Sequence, residues 1–158
     1  MRGSVDGFTS EVFHKKCDNK GATLTVIKAN NRVFGGFTNL SWDSSDTEKR
    51  GDPNAFIFRV VNIQDENNSS IEKFNYKEEG VILCYKDYCA YFGGKDFGWT
   101  DIALRNNCNQ RNDNYSNFGR SYKLPHGIKY ESDAAKTHLC GTYKFTVQDY
   151  EVFQVLAP

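Results

Sequence analysis

TLTVIKANNRVFGGFT, residues 23–38, decides the class of fold. Two β-branched, apolar runs, Thr23 to Ala29 and Arg32 to Thr38, flank the turn pair Asn30-Asn31, and that arrangement predicts an antiparallel hairpin. The second run carries Gly35-Gly36, and a partial echo appears at Gly93-Gly94. Glycine pairs cradle phosphates when they stand between a strand and a helix N-terminus. Gly35-Gly36 is instead flanked by strand residues, and no Gly-Lys-Ser/Thr follows Gly93-Gly94. Both pairs therefore read as bulges or places where backbone passes close to something bulky.

Working outward, residues 8–17 read as a short helix capped by Thr9, with Glu11 in the first turn and lysines near the end. Phe8 and Phe13 stand at hydrophobic-staple positions. Residues 55–61 are nearly continuously apolar, the pattern of a central strand covered on both faces. Further short strands are expected at 71–76, 81–85, 88–92, 101–104, 143–147 and 150–155, with Lys86-Asp87 as a tight turn. Residues 41–54 read as a polar loop, and the asparagine-rich stretch 106–117 as a long ordered loop. The sum is a mainly β chain with minor α, a sandwich of two antiparallel sheets with small flanking helices.

At 158 residues the chain fits one domain, which at this size buries roughly 70% of its unfolded surface. Lysine plus arginine and aspartate plus glutamate stand at 20 each, so no broad field draws the domain to nucleic acid or anionic lipid. The apolar runs are too short for a membrane helix. Met1-Arg2-Gly3-Ser4 reads as a vector-derived leader outside the fold, leaving 5–158 as one domain excised from a longer protein. Five cysteines, an odd set, read as reduced thiols in the cytoplasm, which leaves the sequons at Asn39, Asn67, Asn68 and Asn114 idle.

Catalytic and ligand patterns are weak. His14, His126 and His138 lack zinc-ligand spacing and read as surface or capping residues. Cys84 and Cys89 would face each other across the Lys86-Asp87 turn as plain core residues. Cys108 or Cys140 beside His138 is the nearest thing to a nucleophile and base, and nothing local selects them. The acidic set Asp43, Asp46, Glu48 and Asp52 lacks the calcium-loop pattern and reads as a solvated loop. Tyr85, Tyr88, Tyr91 and Phe92 could stack on bases, but no lysine or arginine cluster accompanies them. No cofactor is expected.

A resemblance enters through ordered blocks: Gly7-Phe8-Thr9 with Phe13-His14 and Cys17, residues 23–28, Val33 to Phe37, Asp52 to Phe58, Phe92-Gly93-Gly94, Asn117 to Tyr122, and Tyr150 to Phe153. Together they resemble a TLDc domain, of the oxidation-resistance family, in the form common in single-celled eukaryotes. The chain departs from animal members where Lys95-Asp96-Phe97 interrupts the glycine run before residue 101, and in the asparagine content of 106–117.

The resemblance implies a two-sheet sandwich and a protein partner. Members protect cells from oxidative stress, and several bind the vacuolar proton-pumping ATPase. No enzymatic activity is general to them, so it implies a non-enzymatic interaction module. A thiol-based redox enzyme or scavenger, and an adaptor whose role its parent protein sets, are the rivals. Gly35, Gly36, Gly93, Gly94, Gly141 and Glu151 fall on recurrent family positions, structural or partner-binding. Glu151 is the sharpest of these, because a carboxylate in an apolar terminal strand must reach solvent or find a partner.

Overall fold

The computed structural model of the protein describes residues 1–65, 67–94 and 100–156. Two short helices open the chain, α1 (Gly3–Asp6) and α2 (Ser10–Cys17). α2 begins where the Thr9 side chain accepts the Val12 N–H, and it ends with Lys15 and Lys16 near its free carbonyls. The hairpin follows at the expected residues as β1 (Thr23–Ala29) and β2 (Arg32–Thr38). Asn30 and Asn31 both take positive φ, 50° and 56°, the left-handed pair whose twist matches the strands it joins.

The rest of the chain supplies β3 (Thr47–Lys49), β4 (Phe56–Val61), β5 (Ser70–Asn75), β6 (Ile82–Cys84), β7 (Tyr88–Phe92), β8 (Ile102–Arg105) and β9 (Asn114–Tyr115). After them come α3 (Asp133–Thr137), β10 (Lys144–Phe145) and β11 (Asp149–Gln154). They form two antiparallel sheets, one ordered β11-β1-β2-β4-β5 and the other β10-β9-β8-β7-β6-β3. This is the expected sandwich. Its core holds Phe13 of α2, Ile27, Phe34, Trp42, Ile57, Phe92, Ile102 and Phe145, all essentially inaccessible to water. The Trp42 ring meets Phe13 and Phe92 edge-on, and its indole N–H donates to the Thr23 hydroxyl at 3.0 Å.

Several expectations need correction. The polar stretch 41–54 contains β3, which pairs with β6 in the register Thr47↔Cys84 and Lys49↔Ile82. Within that stretch Asp52 is buried, not solvated: it accepts the Thr38 hydroxyl, both the backbone and side-chain N–H of Asn39, and the Asn54 N–H. β4 is covered only in part on its outward face, where Phe58 alone is buried. Ile57 is sealed in the core, while Phe56 and Val60 on the other face remain half-buried.

The asparagine-rich loop contains β9, where the Asn114 side chain donates to the carbonyls of Cys108 and Phe145. The turn-forming side chain is thus used to tie two segments together. Residues 1–4, set apart from the fold by the sequence, lie on it. Met1 and Val152 exchange backbone hydrogen bonds of 3.0 and 2.9 Å, Gly3 is buried, and Arg2 bridges to Glu151. The Lys95-Asp96-Phe97 departure lies outside the described residues.

Candidate functional site

The six glycine and carboxylate positions divide between two settings. Gly36 faces inward from β2, and a Cβ there would come within 2.6–2.8 Å of the Phe92 ring, so the glycine lets the two sheets close on that ring. Gly35 stands opposite Phe58 in the sheet register, and a Cβ there would overlap the Thr25 carbonyl oxygen. Gly93, at φ +108°, lies against the Asp101 carboxylate, and Gly94 against Arg120 and Ser121. Asp101 is fully buried and accepts the backbone N–H groups of Gly119, Arg120 and Ser121 at 2.7–3.1 Å. Burial pushes its carboxyl up to about 7 against the opposing pull of those donors. Gly93, Gly94 and Asp101 thus form one packed knot beside Phe92, which Gly36 lets the facing sheet approach, while Gly35 lies on that sheet's outward side.

Gly141 and Glu151 lie elsewhere. Gly141, at φ +84°, lets the Arg32 side chain lie on its backbone; a Cβ there would sit 2.9 Å from Arg32 Nε. Glu151 pairs with Val26 on one side and bridges to Arg2 on the other, where residues 1–2 lie along β11, and its carboxylate is 3.2 Å from Arg2 Nε. Arg2 also meets Asp149 at 2.9 Å, and Asp149 accepts the backbone and hydroxyl of Ser4. Glu151 therefore reaches both solvent and a partner within the chain.

Register fixes what surrounds Glu151. Side chains alternate across a strand, so every second residue of the five-stranded sheet points away from the core. The cross-strand row Phe153, Leu24, Phe37, Phe56 and Asn75 runs beside a second row, Glu151, Val26, Gly35, Phe58 and Lys73. A third begins with Asp149, Lys28 and Val33, and Val60 pairs with Ile71 beyond it. Phe37 stacks on Phe56 at 5.3 Å, with Lys73 Nζ 4.1 Å above the Phe56 ring. Phe58 covers Gly35, and Phe153 and Ile71 stand exposed. The result is an aromatic and aliphatic face whose acidic residues, Asp149 and Glu151, lie along the β11 side. Alternation was readable in each strand, but the joining of these rows required the register.

The aromatic set of 85–92 is divided by the same alternation. Tyr91 points outward and Phe92 into the core, and both are fully buried, so the four rings share no platform. His14 is also buried, contrary to the surface role expected for it. Its Nδ1 lies 2.7 Å from Asp18, and its Nε2 faces the carbonyls of Tyr85 and Tyr88 at 2.9 and 3.0 Å. It clamps the β6–β7 turn to α2.

All five cysteines are free and buried. Burial pushes the Cys17 thiol up to about 12 and those of Cys84 and Cys140 to about 11. Cys108 is raised by its hydrogen bond to Cys89 and by burial. Cys84 and Cys89 do not face each other, because the register Ile82↔Phe92 and Leu83↔Tyr91 puts them one residue out of step. Among the described residues no group of three or more His, Cys, Asp or Glu side chains is placed to hold a metal ion, and no helix is long and apolar enough to cross a membrane.

The family model of the TLDc domain matches residues 2–156, nearly the whole chain. No curated protein matches it.

Proposed function

We propose that this chain, which belongs to the TLDc domain family, acts without catalysis of its own as a protein-interaction module in oxidative-stress resistance, binding the vacuolar proton-pumping ATPase and altering its assembly. The observation that carries this reading is the outward face of the five-stranded sheet, where Phe37, Phe56, Val26 and Val33 are left half-covered and Phe153 and Ile71 open. Contiguous apolar surface of this kind, edged with charge, is what protein partners cover.

Thiol chemistry fits less well. A redox enzyme or scavenger works through an accessible thiolate of lowered pKa, whereas Cys17, Cys84, Cys108 and Cys140 are buried with raised values. Slow modification of all five thiols by iodoacetamide at neutral pH is expected in the native protein.

Binding of the purified chain to the soluble catalytic sector of the ATPase tests the proposal. Saturable binding that weakens on Phe37→Ser supports it. No binding at tens of micromolar, with the chain shown to be folded, removes the ATPase as partner.

A further inference from the structure

We infer that a cavity at one end of the sandwich, between the start of β2 and the β4–β5 connection, receives an acidic side chain of a protein partner, a carboxylate flanked by aliphatic residues. The inference rests on the interaction-module reading and gives that module a second, charge-selective contact.

The cavity measures about 800 Å³ and is lined by Arg32, Arg59, Val60, Val61, Ile63 and Leu139 among others. Its two guanidinium groups differ. Arg59 is committed: its Nε donates to Glu72 at 2.6 Å and its Nη1 to the His138 carbonyl at 2.8 Å. Arg32 makes no ion pair among the described residues, whereas Arg2, Arg50, Arg59, Arg105 and Arg111 each meet a carboxylate.

The missing side chain of Gly141 leaves room for the Arg32 guanidinium to lie against the backbone through Nε and Cζ, and the side chain is otherwise exposed with its donors open. The half-buried His138 ring is held below its usual pKa by burial first and then by Arg59, with Glu72 opposing and Arg32 adding a smaller push in the same direction as Arg59.

Charge balance selects the ligand. Among the described residues, the carboxylates facing these two arginines are Asp65, at the cavity, and Glu72, on Arg59. A single negative charge matches the one unpaired guanidinium in bidentate fashion, whereas a doubly charged phosphate would also face Asp65 and Glu72. Val60, Val61, Ile63 and Leu139 supply apolar walls for the residues beside that carboxylate.

The test is a titration of the whole chain with N-acetyl-Leu-Glu-Leu-amide, followed through backbone amide and arginine Nε–H resonances. The glutamine counterpart and inorganic phosphate form separate arms. Saturable shifts at Arg32 Nε–H and the Leu139 amide are expected with the glutamate peptide. Binding about three- to fivefold weaker is expected with the glutamine peptide, and in Arg32→Gln with an unchanged unfolding midpoint. Equal response to both peptides, an equal response to phosphate, full binding in Arg32→Gln, or no saturable shift at millimolar peptide overturns the inference. A responsive cavity in a chain that ignores the ATPase would remove that partner and keep the pocket; a silent cavity in a chain that binds the ATPase would do the reverse.

Discussion

Each sheet carries a stacked aromatic pair on its outward face, with a cation over one ring. On the six-stranded sheet Tyr88 and Tyr91 stack at 5.1 Å under Arg105. On the five-stranded sheet Phe37 and Phe56 stack at 5.3 Å under Lys73. Their surroundings diverge. Leu83, Tyr91, Ala103 and Tyr115 form one cross-strand row, and all four are buried, with Tyr143 tilted over Tyr115 and Arg105 tied to the Asp113 carbonyl. Phe37 and Phe56 stay half-open, and Lys73 makes no ion pair among the described residues. The same motif is interior on one face and exterior on the other. What separates them is whether the cation is anchored by a second contact and whether neighbouring rings complete the cover.

The largest effect that contrast predicts is on the closed face. Tyr91→Ala should cost about 3–5 kcal/mol in chemical denaturation, the range for emptying a large buried aromatic site. A loss below about 1 kcal/mol would mean that the face is not interior, and the contrast would collapse.

The closed sheet should also hold most of the pH dependence near neutrality, through Asp101 at its β8 end. The folded carboxyl, raised to about 7, binds its proton more tightly than the unfolded one at its ordinary 3.8. The folded state therefore carries the extra proton between those values, and stability falls as pH rises from about 4 to about 7, by up to about 4 kcal/mol. Carboxylates lowered in the folded state, such as Glu72 beside Arg59, act the other way and lose their contribution as pH falls below about 4.5. Unfolding free energies between pH 4.5 and 7.5 should show the Asp101 slope in the native chain and a flat profile in Asp101→Asn. The same slope in both would assign it to another group.

Gly35 tests how the open face is shaped. Gly35→Ala should destabilise by about 3 kcal/mol, because the added Cβ meets the Thr25 backbone carbonyl, which has no rotamer to yield. Phe37→Ser on the same face should cost only about 1 kcal/mol of stability yet weaken ATPase-sector binding about tenfold or more. Calorimetry and binding isotherms on the one variant separate the two quantities. Equal loss in both would make Phe37 a structural residue and erase the distinction between the faces.

Most of this architecture is legible where local chemistry is self-sufficient. Asn30-Asn31 between two β-branched runs specifies the β1–β2 hairpin to the residue, and Thr9 marks the start of α2. The misreadings share a physical cause: partners distant in the chain. His14 is buried by carbonyls more than seventy residues away, and Lys86 reaches back to Asp46 as β3 adds to β6. Asp52 looks solvated until Thr38 and Asn39 fold over it. The candidate site shows the same division. The glycines are readable as close approaches, but neither the outward rows nor the open guanidinium of Arg32 can be found without register and tertiary packing.

Glu151 gives the smallest and most diagnostic effect. Its carboxylate lies where the open face meets the β11 edge, on Arg2, and Arg2 keeps Asp149 when Glu151 is neutralised. The pair is solvent-exposed, so Glu151→Gln should leave the unfolding midpoint unmoved at physiological salt. If the residue serves the fold by ordering residues 1–4, the variant should speed amide exchange at Val152, whose N–H is bonded to the Met1 carbonyl, and leave partner affinity alone. If it serves the face, exchange should be unchanged while ATPase-sector binding weakens and its salt dependence diminishes. The second pattern extends the binding face to β11. The first would move its boundary inward from β11 to the rows centred on Phe37.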